Sequence, residues 1–102
     1  MRPVIWSHAA ADDLDAIVAY IAREQGERAF SVAERIQKSG SDLGTFATGH
    51  SGRVAGTYEK TVSDLPYTIA YIIEDLANRT EQITILRVIH DARNWPEGGW
   101  PE

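Results

Sequence analysis

The sequence predicts an α+β fold in the order β-α-α-β-β-β, a helical hairpin packed on a small, mostly antiparallel sheet. Three observations carry that expectation. Apolar residues recur at helical spacing in the first half of the chain and at strand spacing in most of the second. Little more than one glycine separates the two helical stretches, which makes them antiparallel neighbours. Each helix has a single apolar stripe, and such a stripe needs one face of a sheet to cover it.

Residues 3–6 are short, apolar and β-favouring, and read as the first strand. Ser7 is a good N-cap for the helix that follows. Ala10, Leu14, Ile17, Val18 and Ile21 form its apolar stripe. Asp12, Asp13 and Asp15 lie in the first two turns, where negative charge complements the helix dipole. They do not converge on one helix face, so the cluster only superficially resembles a glycosidase or metal motif. Gly26 is expected to close this helix as a left-handed cap.

In the second helix Ala29, Val32, Ala33, Ile36 and Leu43 are the buried stripe. Glu27, Arg28, Glu34, Arg35 and Lys38 make its solvated face. Residues 40–52 read as a fraying end and a surface loop. Residues 53–62 are a candidate strand, with Gly56 marking a bulge or bend. After a turn at 63–66, residues 67–74 place Tyr67, Ile69, Tyr71 and Ile73 on one strand face. A connection at 75–81 leads to the last strand, 83–90, which is apolar on both faces and therefore central or covered. The expected domain is 1–96, with 97–102 as a frayed tail.

Composition bounds the function. Hydrophobic residues make up 43% and charged residues 25% of 102, as in an ordinary soluble domain. There is no cysteine, which excludes disulfides, thiol nucleophiles and thiolate metal sites. The N-terminus has no apolar run suited to a signal peptide or membrane span, so the expected location is cytoplasmic, with no membrane partner. Net charge is −5, from 15 acidic and 10 basic residues, and both halves are acidic. That balance counts against a general nucleic-acid binder, which leans on a basic face.

The residues with chemical potential gather at the end of the last strand. Arg87 interrupts an apolar run, on the same expected face as Ile83, Ile85 and Ile89. One reading is a structural ion pair with Glu59 or Glu74; the other is a contact for phosphate or an acidic partner. His90 ends the strand, either as a hydrogen-bonded terminator or as a general acid or base. Arg93 and Trp95 follow. Trp95-Pro96 packs the tail over the core, and Arg93 stacks on the indole or reaches a target. Arg53 and Tyr67 approach from neighbouring strands, or are an exposed loop residue and a half-buried phenol. No histidine pair has metal-ligand spacing, and there is no phosphate loop, dinucleotide motif or nucleophile elbow. Neither metal nor cofactor is expected.

These residues carry a resemblance. Val4-Ile5-Trp6-Ser7 with Asp13-Leu14, then residues 17–22, Gly52-Arg53-Val54, Gly56-Thr57-Tyr58-Glu59, residues 65–71 and residues 85–96 stand in the order and spacing of the RelE/ParE superfamily. The chain resembles a ParE-type toxin, the toxin half of a type II toxin–antitoxin pair of the plasmid stabilisation family. The resemblance implies a hetero-oligomer with a ParD-like antitoxin, whose ribbon-helix-helix half binds DNA while this chain makes no sequence-specific DNA contact. It implies DNA gyrase as the target, inhibited through protein–protein contact with no catalytic residue of the toxin's own. The superfamily's other branch consists of ribosome-dependent mRNA endonucleases, for which Arg87, His90 and Arg93 would be the catalytic set. No tyrosine follows Tyr71 and the chain is acidic; both features favour the gyrase branch. A third reading is a non-toxic corepressor bound to its antitoxin.

Overall fold

The computed structural model describes residues 1–101. It contains β1 (Val4–Trp6), α1 (His8–Glu24), α2 (Gly26–Asp42), β2 (His50–Ser51), β3 (Tyr58–Thr61), β4 (Tyr67–Asp75) and β5 (Glu81–His90). The strands form one sheet in the order β1-β5-β4-β3-β2. β1 runs parallel to β5 and every other pairing is antiparallel. This is the expected architecture with one extra two-residue strand. Among the described residues no helix is long and apolar enough to cross a membrane.

Ser7 caps α1 as expected: its Oγ accepts from the Ala10 N–H at 3.1 Å and donates to the Leu86 carbonyl at 3.0 Å. One side chain thus closes a helix start and ties it to β5. The other end of α1 differs from expectation. Gln25, at φ −149°, is the joint between the helices, and Gly26 is already the first residue of α2. The extended backbone at Gln25 breaks the helix without a left-handed glycine.

The core lies between the helical hairpin and one sheet face. Ala10 from α1 and Val32 and Ile36 from α2 meet Ile69, Tyr71, Ile83, Ile85 and Val88. Trp6 presses on α2 at Gly40. A Cβ there would lie 2.7 Å from the indole and 2.8 Å from Ile85, so only glycine allows this approach.

Two expectations about strands are corrected. Residues 53–62 are not one strand: Gly52 N–H bonds to the Thr57 carbonyl at 2.8 Å and closes a turn over 53–56, leaving β2 and β3 on either side. The register of β5 also shifts. Ala70 pairs with Arg87 but Tyr71 pairs with Ile85, so Leu86 is bulged out. One extra residue reverses the alternation beyond it. Val88 and His90 therefore join Ile83 and Ile85 on the helix side, and Arg87 and Ile89 go to the opposite face.

Candidate functional site: an aromatic groove and an arginine-anchored sheet face

Among the described residues no helix covers the face that carries Arg87. In its middle row Ala70 stands between Glu59 on β3 and Arg87 on β5. Ala70 is 0% exposed and Ile89 1%, so something must lie over them. The segment after β5 returns to this face. Trp95 Nε1 donates to the His90 carbonyl at 3.3 Å, and Pro101 is buried with its carbonyl 3.1 Å from Arg87 Nη1. As far as Pro101, the tail expected to fray instead folds back on the sheet; Glu102 lies outside the described residues.

Arg87 is an ion-pair residue, but neither Glu59 nor Glu74 is its partner. Asp13 Oδ2 accepts from Arg87 Nε at 2.7 Å, and Oδ1 from Nη2 at 3.1 Å. Asp13 Oδ2 also accepts the Val88 N–H at 2.9 Å. The reason lies in sheet length. β1 pairs with β5 only as far as Ile85, so β5 has an open edge beyond it, and α1 brings a carboxylate to that edge. Asp13 thereby closes an exposed edge donor and holds the guanidinium in a bidentate fork. Its hydrogen bonds raise the Arg87 pKa further against the opposing effect of burial.

Arg53 is likewise committed. Its Nε and Nη2 donate to Glu59 at 3.0 and 3.1 Å, and its backbone N–H adds a third bond at 2.9 Å. Burial pushes the Glu59 carboxyl up, but the bonds and charge of Arg53 outweigh it and hold the group below its ordinary value. The Arg53 guanidinium lies 3.8 Å from the centre of the Trp95 ring. Arg53 thus stacks on the indole, a contact the sequence did not suggest for it.

The second concavity lies where α1, α2 and the ends of β4 and β5 meet. A cavity of about 480 Å³ is lined by Ile17, Tyr20, Tyr67, His90 and Arg93 among others. It adjoins one of about 230 Å³ between Tyr20, Val32, Leu65 and Tyr67. Tyr67 is buried, which raises the pKa of its phenol, and its ring meets His90 edge-on at 5.2 Å between centroids. His90 Nδ1 accepts from the Ala92 N–H at 3.0 Å. Tyr20 is 60% exposed on α1 and packs on Arg23.

Of the six residues singled out by sequence, Tyr67, His90 and Arg93 meet in this groove. Arg53, Trp95 and Arg87 belong to the opposite sheet face. Sequence reasoning missed Asp13 and Tyr20. Asp13 was visible as a carboxylate near a helix start, but nothing local points to residue 87. Tyr20 was visible as an aromatic one position outside the apolar stripe, flanking Ile17 at helical spacing.

Comparisons with known proteins agree with this geometry. The family described as "ParE toxin of type II toxin-antitoxin system, parDE" matches residues 4–95. Y4kP of Sinorhizobium fredii, named as a candidate toxin, is 33% identical over 97 residues, covering 94% of this chain and 95% of its own length. A solved chain from the chromosomal ParDE TA system of P. aeruginosa superposes with a TM-score of 0.78 at 26% identity, covering 88% of this chain and 96% of that one.

Proposed function

The chain belongs to the ParE toxin family of type II toxin–antitoxin systems, and from that premise we propose that it is a gyrase-directed toxin neutralised by a ParD-like antitoxin. Toxin and antitoxin form a hetero-oligomer in the cytoplasm, and the target is inhibited by protein–protein contact. In this reading residues 1–96 carry the toxin domain, and Tyr67, His90 and Arg93 present a surface that a partner protein reads. Arg53 and Trp95 frame the opposite face, and Arg87 anchors it.

One observation carries the preference for recognition over RNA cleavage. Two groups of the would-be phosphate-cleaving set, the Arg87 guanidinium and His90 Nδ1, are engaged within the protein. Arg87 is held by Asp13 and the Pro101 carbonyl, and His90 Nδ1 by the Ala92 amide. A transferring phosphoryl group needs preorganised donors aimed at empty space, and here the Arg87 fork points at a carboxylate. The groove offers aromatic and apolar surface instead, which suits a protein anchor.

The test is expression of the chain without antitoxin. The expected result is DNA-damage signalling and trapped gyrase–DNA cleavage complexes, with messenger RNA intact. Transcripts cut within translated codons, with gyrase unaffected, would replace this reading with the endonuclease one. Harmless expression, combined with promoter repression that still needs the chain, would support the corepressor.

A further inference from the structure

The sheet face opposite the helices is closed by the chain's own end. Trp95 holds one side of that closure beneath Arg53, and Pro101 holds the other at Arg87. The two anchors flank the row Glu59, Ala70 and Arg87, so the segment between them crosses the sheet.

Two features bear on how firmly this closure is held. Gly98 sits at φ +71°, and a Cβ built there meets nothing within 4 Å. It is an unencumbered left-handed joint between the anchors. Among the described residues, Trp100 Nε1 is a buried donor with no hydrogen-bond partner. Closure takes that N–H out of water and gives nothing back, so it works against its own apolar burial. Segments balanced in this way open well before the whole protein unfolds.

We propose that residues 97–101 form a displaceable strap. In the closed form it covers Ala70 and Ile89 and takes one donor of Arg87. In the open form the same face accepts an extended segment of a partner protein. The strap itself indicates the chemistry of that segment: apolar side chains over Ala70 and Ile89, and a carbonyl or carboxylate opposite Arg87. Opening does not disturb the Asp13 fork, because Nε and Nη2 serve Asp13 while Nη1 serves Pro101. The face is therefore exposed with its guanidinium already oriented. Only the identity of the partner rests on the toxin reading.

The experiment uses the full chain labelled with 5-fluorotryptophan, with the ¹⁹F signals assigned by single Trp→Phe variants. Trp100 should exchange between two environments on the microsecond-to-millisecond scale while Trp6 remains single. Gly98→Ala should raise the open fraction about tenfold, because a left-handed alanine is disfavoured where glycine is not. Since the added methyl has no neighbours, the change acts through the backbone alone. The purified ParD-like antitoxin is the binding probe. Its affinity should rise with the open fraction and should be at least as high for a chain ending at Pro96, provided that chain still melts cooperatively.

A Trp100 signal as static as that of Trp6, and unmoved by Gly98→Ala, would overturn the strap. So would clear opening that leaves antitoxin affinity unchanged in both variants, since the face would then not be what the strap controls. If no antitoxin binds even the unaltered chain, the toxin reading is what fails, and the fluorine signals still decide whether the strap opens.

Discussion

The two faces of the sheet are closed by different physics. On the helix side Ile69, Tyr71, Ile83, Ile85 and Val88 interlock with Val32 and Ile36, and a broad apolar contact carries the joint, with polar ties such as Ser7 to Leu86 at its margin. On the other side Ala70 and Ile89 are buried as completely, but beneath a short return of chain anchored by two arginines. The first face is cooperative, because its contacts are many and shared between two helices and the strands they cover. The second depends on a few polar contacts that can each be removed. The comparison teaches that equal burial does not mean equal permanence.

Substitutions can break that contrast, and the largest effect should come from the helix side. Ile85→Ala removes a fully buried side chain beside Trp6 and Gly40, and should cost about 4 kcal/mol in denaturant unfolding. A loss under about 1 kcal/mol would mean that this face is no more rigid than the other.

Asp13→Ala comes next, at about 3 kcal/mol, because it strands a half-buried guanidinium and frees the Val88 edge amide together. Asp13→Asn keeps the amide bond and should cost less. Equal losses in the two variants, measured by urea titration, would show that the acceptor oxygen at the Val88 edge contributes nothing beyond the charge of Asp13.

Glu59→Gln should cost about 1 kcal/mol, reduced by the exposure of Arg53. The same pair imposes a pH dependence. The Glu59 carboxyl is held below its ordinary value near 4.5, so its contribution is present above that value and is lost as pH falls through the folded-state value. Stability measured from pH 7 to pH 3 should therefore fall less steeply in Glu59→Gln than in the parent. Parallel curves would exclude Glu59 as a source of the acid sensitivity.

The smallest stability effect should be that of Tyr20→Ala, within about 0.5 kcal/mol, because the ring is largely in water. Its weight should appear in partner binding, with antitoxin or gyrase affinity reduced at least tenfold. A variant that binds both partners as well as the parent would remove the aromatic groove from consideration as a reading surface.

The helix side was the legible side. Ser7, the stripe from Ala10 to Ile21 and the alternation from Tyr67 to Ile73 are local patterns, set by helix and strand periods. The far side was legible only in part. Its candidates were named, but their partners were not, because Asp13 meets Arg87 across 74 residues of sequence. The bulge at Leu86 was invisible for a different reason. An apolar run offers no alternation to interrupt, so Val88 and Ile89 look equally fit for either face. The strand assigned to residues 53–62 was misjudged, whereas Arg53 lies in an exposed turn, the other reading the sequence left open. The turn that aims it at Trp95 is closed by a backbone bond between Gly52 and Thr57, which leaves little mark on composition. The tail was expected to fray as chain termini commonly do; what holds it is a guanidinium on a strand already passed.

The parallel pairing of β1 with β5 has a consequence in time. Val4, Ile5 and Trp6 leave the ribosome long before their sheet partners Ile83, Thr84 and Ile85. Contacts so distant in sequence form late and slow the rate-limiting step of folding. During synthesis the hairpin of α1 and α2 emerges with its apolar stripe facing no sheet. The core closes only when β5 has emerged to insert between β1 and β4. A chain halted before residue 81 lacks the strand that supplies Arg87 and His90 and so has none of this surface. The sheet and both of its faces therefore become complete in one late step, when β5 takes its place between β1 and β4.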